Sequence, residues 1–479
     1  MNLIANEVFM EQLVTEALAS LRATEDMVSF CKCATASVNQ ALAKAVSVAL
    51  EHFDEELFVS KDSALKSKGK ESRKLLEAYG EMSFRRRRYS INGQNIYLLD
   101  EVLALPRYTN LSASTIQFLA MRARTDSYES ATRDLEELSQ VKVSRSTVKT
   151  AIERTAQVLK EQEQHCLPVR EKVAIIDVES DDILVPLQRT KEQKRQDKCA
   201  GKVKGRQFVA ITVVKGYEGK EAIVPSGGRK RCVSPFYITS ARGTEDAFER
   251  AGDYIEKHFD TKHIRHIHFG TDGASNQRKG KDFFPAKVLD SIDPYHAWRK
   301  LYGYLEEDVY YEIKSCFYKK DLTEIKAILV SAFDYYQETK QFGYAKNICE
   351  ASRYINKNAL FILRGIARSL GTAESANAHI VADRCKGRGR AWSVNGAENI
   401  TVLNAAVSQG ISLPHACRKQ TEPKLSHVIE QNKQEVVRAA KGKFKALAES
   451  HYYNQARLPD TERTKGTNAP IQTGSGIRS

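Results

Sequence analysis

Residues 173–187 read VAIIDVESDDILVPL, and the placement of their acids decides the fold. The run is apolar and β-branched enough to predict a strand. Successive side chains on a strand alternate between faces, so Asp177, Glu179 and Asp181 share one side. Unpaired buried charge is costly, so three carboxylates on one strand face need compensation. A bound divalent cation is the compensation expected here.

Outward from this strand the chain reads as α/β. GRQFVAITVVKGY (205–217), residues 235–239, residues 263–270 and residues 287–292 read as further strands, and residues 245–258 as a helix. The fourth strand runs into Thr271-Asp272-Gly273 and the fifth into Asp293-Pro294-Tyr295-His296. Ligands in open α/β sheets gather where strands end in turns, so Asp272 is a candidate. Residues 297–368 read as mostly helical. A helix over 373–384 places Glu374 in its first turn, where the helix dipole favours a carboxylate. Oxygen donors of this kind suit Mg²⁺, with Mn²⁺ as the substitute, and do not suit Zn²⁺. Two such ions ~3.5–4 Å apart activate a water or a 3′-hydroxyl and stabilise a leaving oxygen at a phosphodiester. No GxSxG or Walker A run points elsewhere.

Basic residues follow. Arg384, Lys386, Arg388 and Arg390 alternate with Cys385, Gly387 and Gly389. Glycines let a backbone approach phosphates and the cations neutralise them. Trp392 is either a base-stacking side chain or a core residue. Upstream, GEMSFRRRRYSINGQNIYLL (80–99) reads as a hairpin turning at Asn92-Gly93. Arg85 to Arg88 make its first strand either a charged edge or a phosphate contact. Residues 127–160 read as a helix-turn-helix, with Ser144 capping the second helix and Val148 and Ile152 buried. Arg145, Ser146 and Lys149 are then exposed where a recognition helix meets DNA. Residues 3–60 read as helix, and 60–74 as a Lys-rich linker or exposed helix. His266 and His268 read as a packed strand pair.

The chain has 479 residues, with Lys+Arg 74 and Asp+Glu 60, a net charge of +14. Residues 331–479 hold 22 basic against 12 acidic residues, so the surplus lies in the last third. Such a surplus points to a polyanionic partner. Mean hydropathy is −0.46, and no apolar run reaches the ~18 residues of a membrane span. The start, MNLIANEVFMEQLVTEALASL, lacks the basic and apolar regions of a signal peptide. Nine scattered cysteines read as reduced thiols. The expectation is a cytoplasmic, nucleoid-associated bacterial protein with no membrane partner.

Several blocks in order carry a resemblance. They are Arg87, Tyr89 and Leu98-Leu99-Asp100-Glu101; Glu179-x-Asp181 running to Leu187-Gln188; and Asp272-Gly273 followed by Asp293-x-x-His296. The last is Glu374-Ser375-x-Asn377-x-His379, continuing to Ala382-Asp383-Arg384, Trp392-Ser393 and Gly396-Ala397. From about Gly80 to Ala405 the chain resembles bacterial insertion-sequence transposases of the ISLre group, formerly an uncharacterised protein family. It departs from them at Gly270-Thr271-Asp272-Gly273, where the family carries Gly-Asp-Gly.

The resemblance implies an α/β RNase H-like catalytic core with a helical insertion. A mainly helical N-terminal region with a β-hairpin and helix-turn-helix precedes it. The implied divisions are a helical region (1–78), a basic hairpin (79–110) and a helix-turn-helix (111–168). The core's first part (172–300), the insertion (301–368), the core's last part (369–405) and a basic C-terminal helix and tail (406–479) follow. Asp181, Asp272 and Glu374 would be the catalytic triad and hold two Mg²⁺ ions. Arg145 and Lys149 would bind terminal inverted repeats in double-stranded DNA. Arg384, Lys386, Arg388, Arg390 and Trp392 would contact DNA near the scissile phosphate. His296 and His379 would support the acids or touch DNA, and the chain would act as a homo-oligomer. The rival expectations are a nuclease that cuts without joining and a catalytically inactive DNA-binding protein.

Overall fold

The computed structural model describes residues 11–413, apart from 12–13, 16, 61–65, 92–93, 104, 106–108, 165–169, 200–206, 224–227, 229, 369 and 388. The Asn92-Gly93 turn, the helix expected near 424–452 and the polar tail lie outside the described residues. The chain divides into two compact units. One comprises Met1–Ser47, Lys74–Ser83 and Pro106–Glu422; the other comprises Val48–Arg73, Phe84–Leu105 and Pro423–Ser479.

Helix α1 (Met27–Ser60) opens where Asp26 Oδ1 accepts from the amides of Val28 and Ser29. Strands β1 (Ser67–Glu77), β2 (Gly80–Ile91) and β3 (Gln94–Ile96) form a sheet in that order. The antiparallel pairing Ile91↔Gln94 bears out the hairpin. The expected linker or exposed helix over 60–74 is corrected, because β1 occupies most of it. Arg73 and Leu75 are buried at period two there. The strand is Lys-rich in composition, but a buried ion pair, not local propensity, sets its state. Arg73 and Arg86 both pair with buried Asp100, at 2.5 and 3.0 Å. Arg87 pairs with Asp54 and Glu55, and Arg88 with Glu71. Three of the four hairpin arginines are thus held by the unit's own carboxylates.

Helices α2 (Ala113–Thr125), α3 (Tyr128–Ser139) and α4 (Arg145–Glu163) follow. Each opens on a serine, Ser112, Ser127 or Ser144, whose side chain accepts an amide three residues on. Val148 and Ile152 are buried, as expected.

The main sheet has the order β10-β9-β4-β5-β8. Its members are β4 (Ile175–Pro186), β5 (Phe208–Tyr217), β8 (Phe236–Ser240), β9 (His266–Thr271) and β10 (Val288–Ile292). β4, β5 and β8 pair antiparallel, while β9 and β10 join on the other side of β4 in parallel. A small hairpin, β6 (Gly219–Ala222) and β7 (Lys230–Val233), and a helix Lys191–Cys199 were not expected.

Helix α5 (Thr244–His258) covers one sheet face around Val178, Ile238, Phe248 and Phe269. On the carboxylate face one continuous apolar cluster joins α2–α4 to the sheet through Leu135, Val148, Val213, Ile380 and Trp392. Between β10 and the return to the sheet lie α6 (Pro294–Tyr302), α7 (Glu307–Lys319), α8 (Leu322–Glu338) and α9 (Phe342–Arg368). They share their own core, including Leu301, Phe317, Ile325 and Ile355. α10 (Ala373–Asn377), a π-helical turn (Ala378–Ala382) and α11 (Val394–Ser408) complete the described chain. The seven described cysteines are free thiols. No helix among the described residues is long and apolar enough to cross a membrane.

Removing Asp100 leaves two buried guanidinium groups without their carboxylate. Asp100→Ala is expected to lower unfolding free energy by about 3–5 kcal/mol, read from urea denaturation midpoints at unchanged slope.

Candidate functional site

The site is built on β4. Asp177, Glu179 and Asp181 alternate with Val178 and Ser180, so the three acids do share a face. Their environments differ. Asp177 is buried and bidentate to Arg368 at the end of α9, at 2.7 and 3.0 Å. Its hydrogen bonds, with its charge adding and burial opposing, hold the arginine even more firmly protonated. Glu179 is 2% exposed. One of its oxygens accepts the amides of Gly371, Thr372 and Ala373 at 2.9, 2.7 and 3.1 Å. The other accepts the hydroxyls of Tyr217 and Thr372 at 2.6 and 2.8 Å. These amides form the N-terminal edge of α10, where orphan donors and the helix dipole both favour an anion. Gly371 reaches this edge with φ +127°, which only glycine adopts readily. The expectation that a cation compensates all three acids is therefore corrected. An arginine and a helix N-terminus satisfy two of them.

Asp181 remains. The register Glu179↔Gly270 sets it beside Asp272, the residue after β9. Ile292↔Thr271 likewise sets Asp293, after β10, beside Asp272. β9 and β10 thus end at Asp272 and Asp293 beside Asp181, which lies within β4, and the three acids form a row across neighbouring strands. Asp293 caps α6 by accepting the Tyr295 amide and also meets His296 Nδ1 at 3.2 Å. His296 Nε2 lies 3.9 Å from Asp181 Oδ2. The hydrogen bond to Asp293, against burial and with the help of Asp181, raises the imidazole above its usual pKa. Burial raises Asp181, and the charges of Asp272 and Asp182 add to it, while His296 and the Asp182 amide oppose. Asp182 lies aside, holding the Thr212 hydroxyl at 2.6 Å. Asp272 accepts the Ala274 amide at 2.8 Å, which shapes its turn.

Asn377, at the end of α10, donates to Asp181 Oδ2 at 2.9 Å. Its own buried Oδ1 has no partner. Glu374 stands three residues earlier on the same helix and is exposed. Residues three apart share a helix face, so Glu374 lies on the Asp181 side of α10. Asp181 and Asp272 are close enough to act on each other, and Glu374 is exposed on the helix whose Asn377 reaches Asp181. Among the described residues no three Asp, Glu, His or Cys side chains form a preassembled metal-binding group.

The other expected residues fall into three sets. Arg145 and Lys149 are exposed at the start of α4, in loose pairs with Glu129 and Glu153, each at 3.5 Å. Lys386 is exposed, Arg390 closes the preceding helix end on the carbonyls of Asp383 and Arg384, and Arg388 lies outside the described residues. His379 is exposed on the π turn, with its ring edge-on to Tyr237. Arg384 and Trp392 are corrected. Arg384 is 5% exposed, donates to the Ala123 carbonyl and lies 4.5 Å over the Trp392 ring. Trp392 packs against Tyr128 in the apolar cluster. This pair seals α2 and α3 onto the core and does not face solvent.

A family model for the uncharacterised protein family UPF0236 matches residues 27–421. The chain belongs to the UPF0236 family. A relative, the UPF0236 protein in the vanSb 3′ region of Streptococcus gallolyticus, is 24% identical over 358 residues, covering 71% of this chain and 74% of that one. The structure is also similar to the Drosophila P element transposase strand transfer complex, at 11% identity and a TM-score of 0.24, covering 63% of this chain and 80% of that one.

Sequence reasoning named Asn377 only within a block of the resemblance and gave it no role, and it did not find Arg368 or the clasp made by Glu179. The i, i+3 spacing of Glu374 and Asn377 was the one local signal for Asn377. Nothing local marks Arg368, which sits 191 residues from Asp177. Glu179→Ala is expected to cost about 3 kcal/mol or more, because five donors lose a buried charged acceptor. Hydrogen exchange should quicken first at the amides of residues 371–373.

Proposed function

We propose that the chain is a DDE-type transposase built on an RNase H-like core. It binds the ends of its insertion sequence and carries out metal-dependent DNA cleavage and strand transfer. The observation that carries this reading is the row formed by Asp181 and Asp272 beneath the helix that bears Glu374. The strand order supports the fold assignment: three antiparallel strands, then two parallel ones on the opposite side of the first.

The donor set fits a hard divalent cation. It is all oxygen, Asp181 is strained toward protonation by burial and by neighbouring acids, and the Asn377 amide oxygen beside it lacks a partner. Asp181, Asp272 and Glu374 would hold two Mg²⁺ or Mn²⁺ ions. Such ions supply activation of a water or a 3′-hydroxyl and charge neutralisation at the phosphodiester. The chain's own residues orient the acids. Asn377 and His296 fix Asp181 from two sides, and Glu179 fixes the pitch of the Glu374 helix. Arg145 and Lys149 contact duplex ends, because exposed ion pairs such as theirs are worth little and yield to phosphates. Lys386, Arg388 and Arg390 follow the backbone near the cut, and two copies bring two ends together.

The exposure of Glu374 is the observation that favours the rival reading, a DNA-binding protein without catalysis. Cleavage and joining of labelled element ends with Mg²⁺ separates the readings. Asp181→Ala, Asp272→Ala and Glu374→Ala should each lower the rate by about a thousand-fold or more, roughly 4 kcal/mol in the barrier, and leave end binding intact. An inert wild type that still binds ends decides for the rival, and cutting without joining decides for a nuclease. Arg145→Ala and Lys149→Ala should each flatten the logarithmic salt dependence of end binding by about 0.9.

A further inference from the structure

Most cations expected to meet DNA already have partners inside the protein. Arg86, Arg87 and Arg88 pair with carboxylates, Arg384 is buried, and Arg145 and Lys149 face glutamates. Helix α6 differs. It springs from Asp293 in the carboxylate row and buries Ala297, Trp298 and Leu301. Its outer face carries Tyr295, Arg299 and Tyr302 at i, i+4 and i+7, one stripe of a helix. Tyr295 is 46% and Tyr302 57% exposed. Arg299 and the adjacent Lys300 are exposed too, and no carboxylate pairs with either among the described residues.

Tyr295 lies edge-on to His296 at 5.4 Å and Tyr302 edge-on to Tyr310 at 5.2 Å. The parts of both rings that remain in water, beside an unneutralised guanidinium, suit a ligand with flat apolar faces and negative charges between them. Seven residues of helix span about 10 Å. That is about three stacked bases at ~3.4 Å each. Aromatic side chains stack on bases that are not already sandwiched in a duplex, and arginine neutralises the backbone alongside. The inner side of the same helix presents His296 to Asp181, so the stripe begins at the candidate site.

We propose that Tyr295, Arg299 and Tyr302 form a binding track for an unpaired DNA strand leaving the carboxylate row. The track rests on reading Asp181, Asp272 and Glu374 as a phosphodiester-processing site. It adds a strand-selective contact that is separate from the duplex contacts of Arg145 and Lys149.

The test is fluorescence anisotropy of the full chain with a fluorescein-labelled oligothymidylate of about twelve nucleotides. Replacing both tyrosines, Tyr295→Ala with Tyr302→Ala, should weaken binding about tenfold or more, as expected for lost base stacking. Tyr295→Phe with Tyr302→Phe keeps the rings and should bind within about twofold of wild type. Arg299→Ala should flatten the logarithmic salt slope by about 0.7. An alanine pair that binds like wild type overturns the track, as does a phenylalanine pair that loses as much as the alanine pair. End cleavage is measured in parallel. If Asp181→Ala abolishes cleavage while the alanine pair binds oligothymidylate normally, the track alone fails. If the tyrosines carry oligothymidylate binding but wild type never cleaves end DNA, the track stands and the catalytic reading fails.

Discussion

The carboxylate of Glu179 closes the fold of the candidate site. The chain leaves the sheet at Asp293, runs through four helices and must return to β4 in register. It returns onto two acids of one strand face. Asp177 receives Arg368 at the end of α9, and Glu179 receives the amides of residues 371–373 at the start of α10. A buried anion at a helix N-terminus satisfies donors that have no intrahelical partner, and the helix dipole adds to the attraction. Glycine permits the approach on the other side as well. A Cβ on Gly365 would sit 2.0 Å from the Ile292 carbonyl oxygen, so only glycine lets α9 lie against the end of β10.

Anchoring the return this way assigns different work to acids that look alike in sequence. Asp177 and Glu179 are neutralised by the protein and hold structure. Asp181, one pleat further, meets no arginine and no helix N-terminus among the described residues. Its neighbours are Asn377, His296 and the charge of Asp272. An acid kept half-buried among like charges is the one that has something to gain from a cation.

The same principle separates the cations. A charge surplus on paper says nothing about which side chains are free. In the hairpin, buried Asp54 and Asp100 and the more exposed Glu55 and Glu71 hold three of the four arginines in ion pairs. At Arg384 and Trp392 the basic loop folds back on α2, and a stacked guanidinium becomes part of the core. On α6, Lys300 lies 5.1 Å over the Tyr354 ring, while Arg299 is exposed and pairs with no carboxylate among the described residues.

The sequence by itself determined the strands of the sheet, the helices α3 and α4, the hairpin and the shared face of Asp177, Glu179 and Asp181. These follow from period-two and period-3.6 patterns, serine caps and turn residues, which act within a few residues. It also placed Asp272 after a strand and Glu374 in a first helical turn. Only the tertiary structure decided which acids the protein itself satisfies. Arg368 lies 191 residues from Asp177, and the amides that clasp Glu179 lie 192 to 194 residues from it. Strand β1 was hidden for the same reason, since the buried pair Arg73–Asp100 outweighs a polar, Lys-rich composition. Local patterns report faces and ends. Compensation of charge depends on what the fold brings alongside, and no spacing along the chain encodes that.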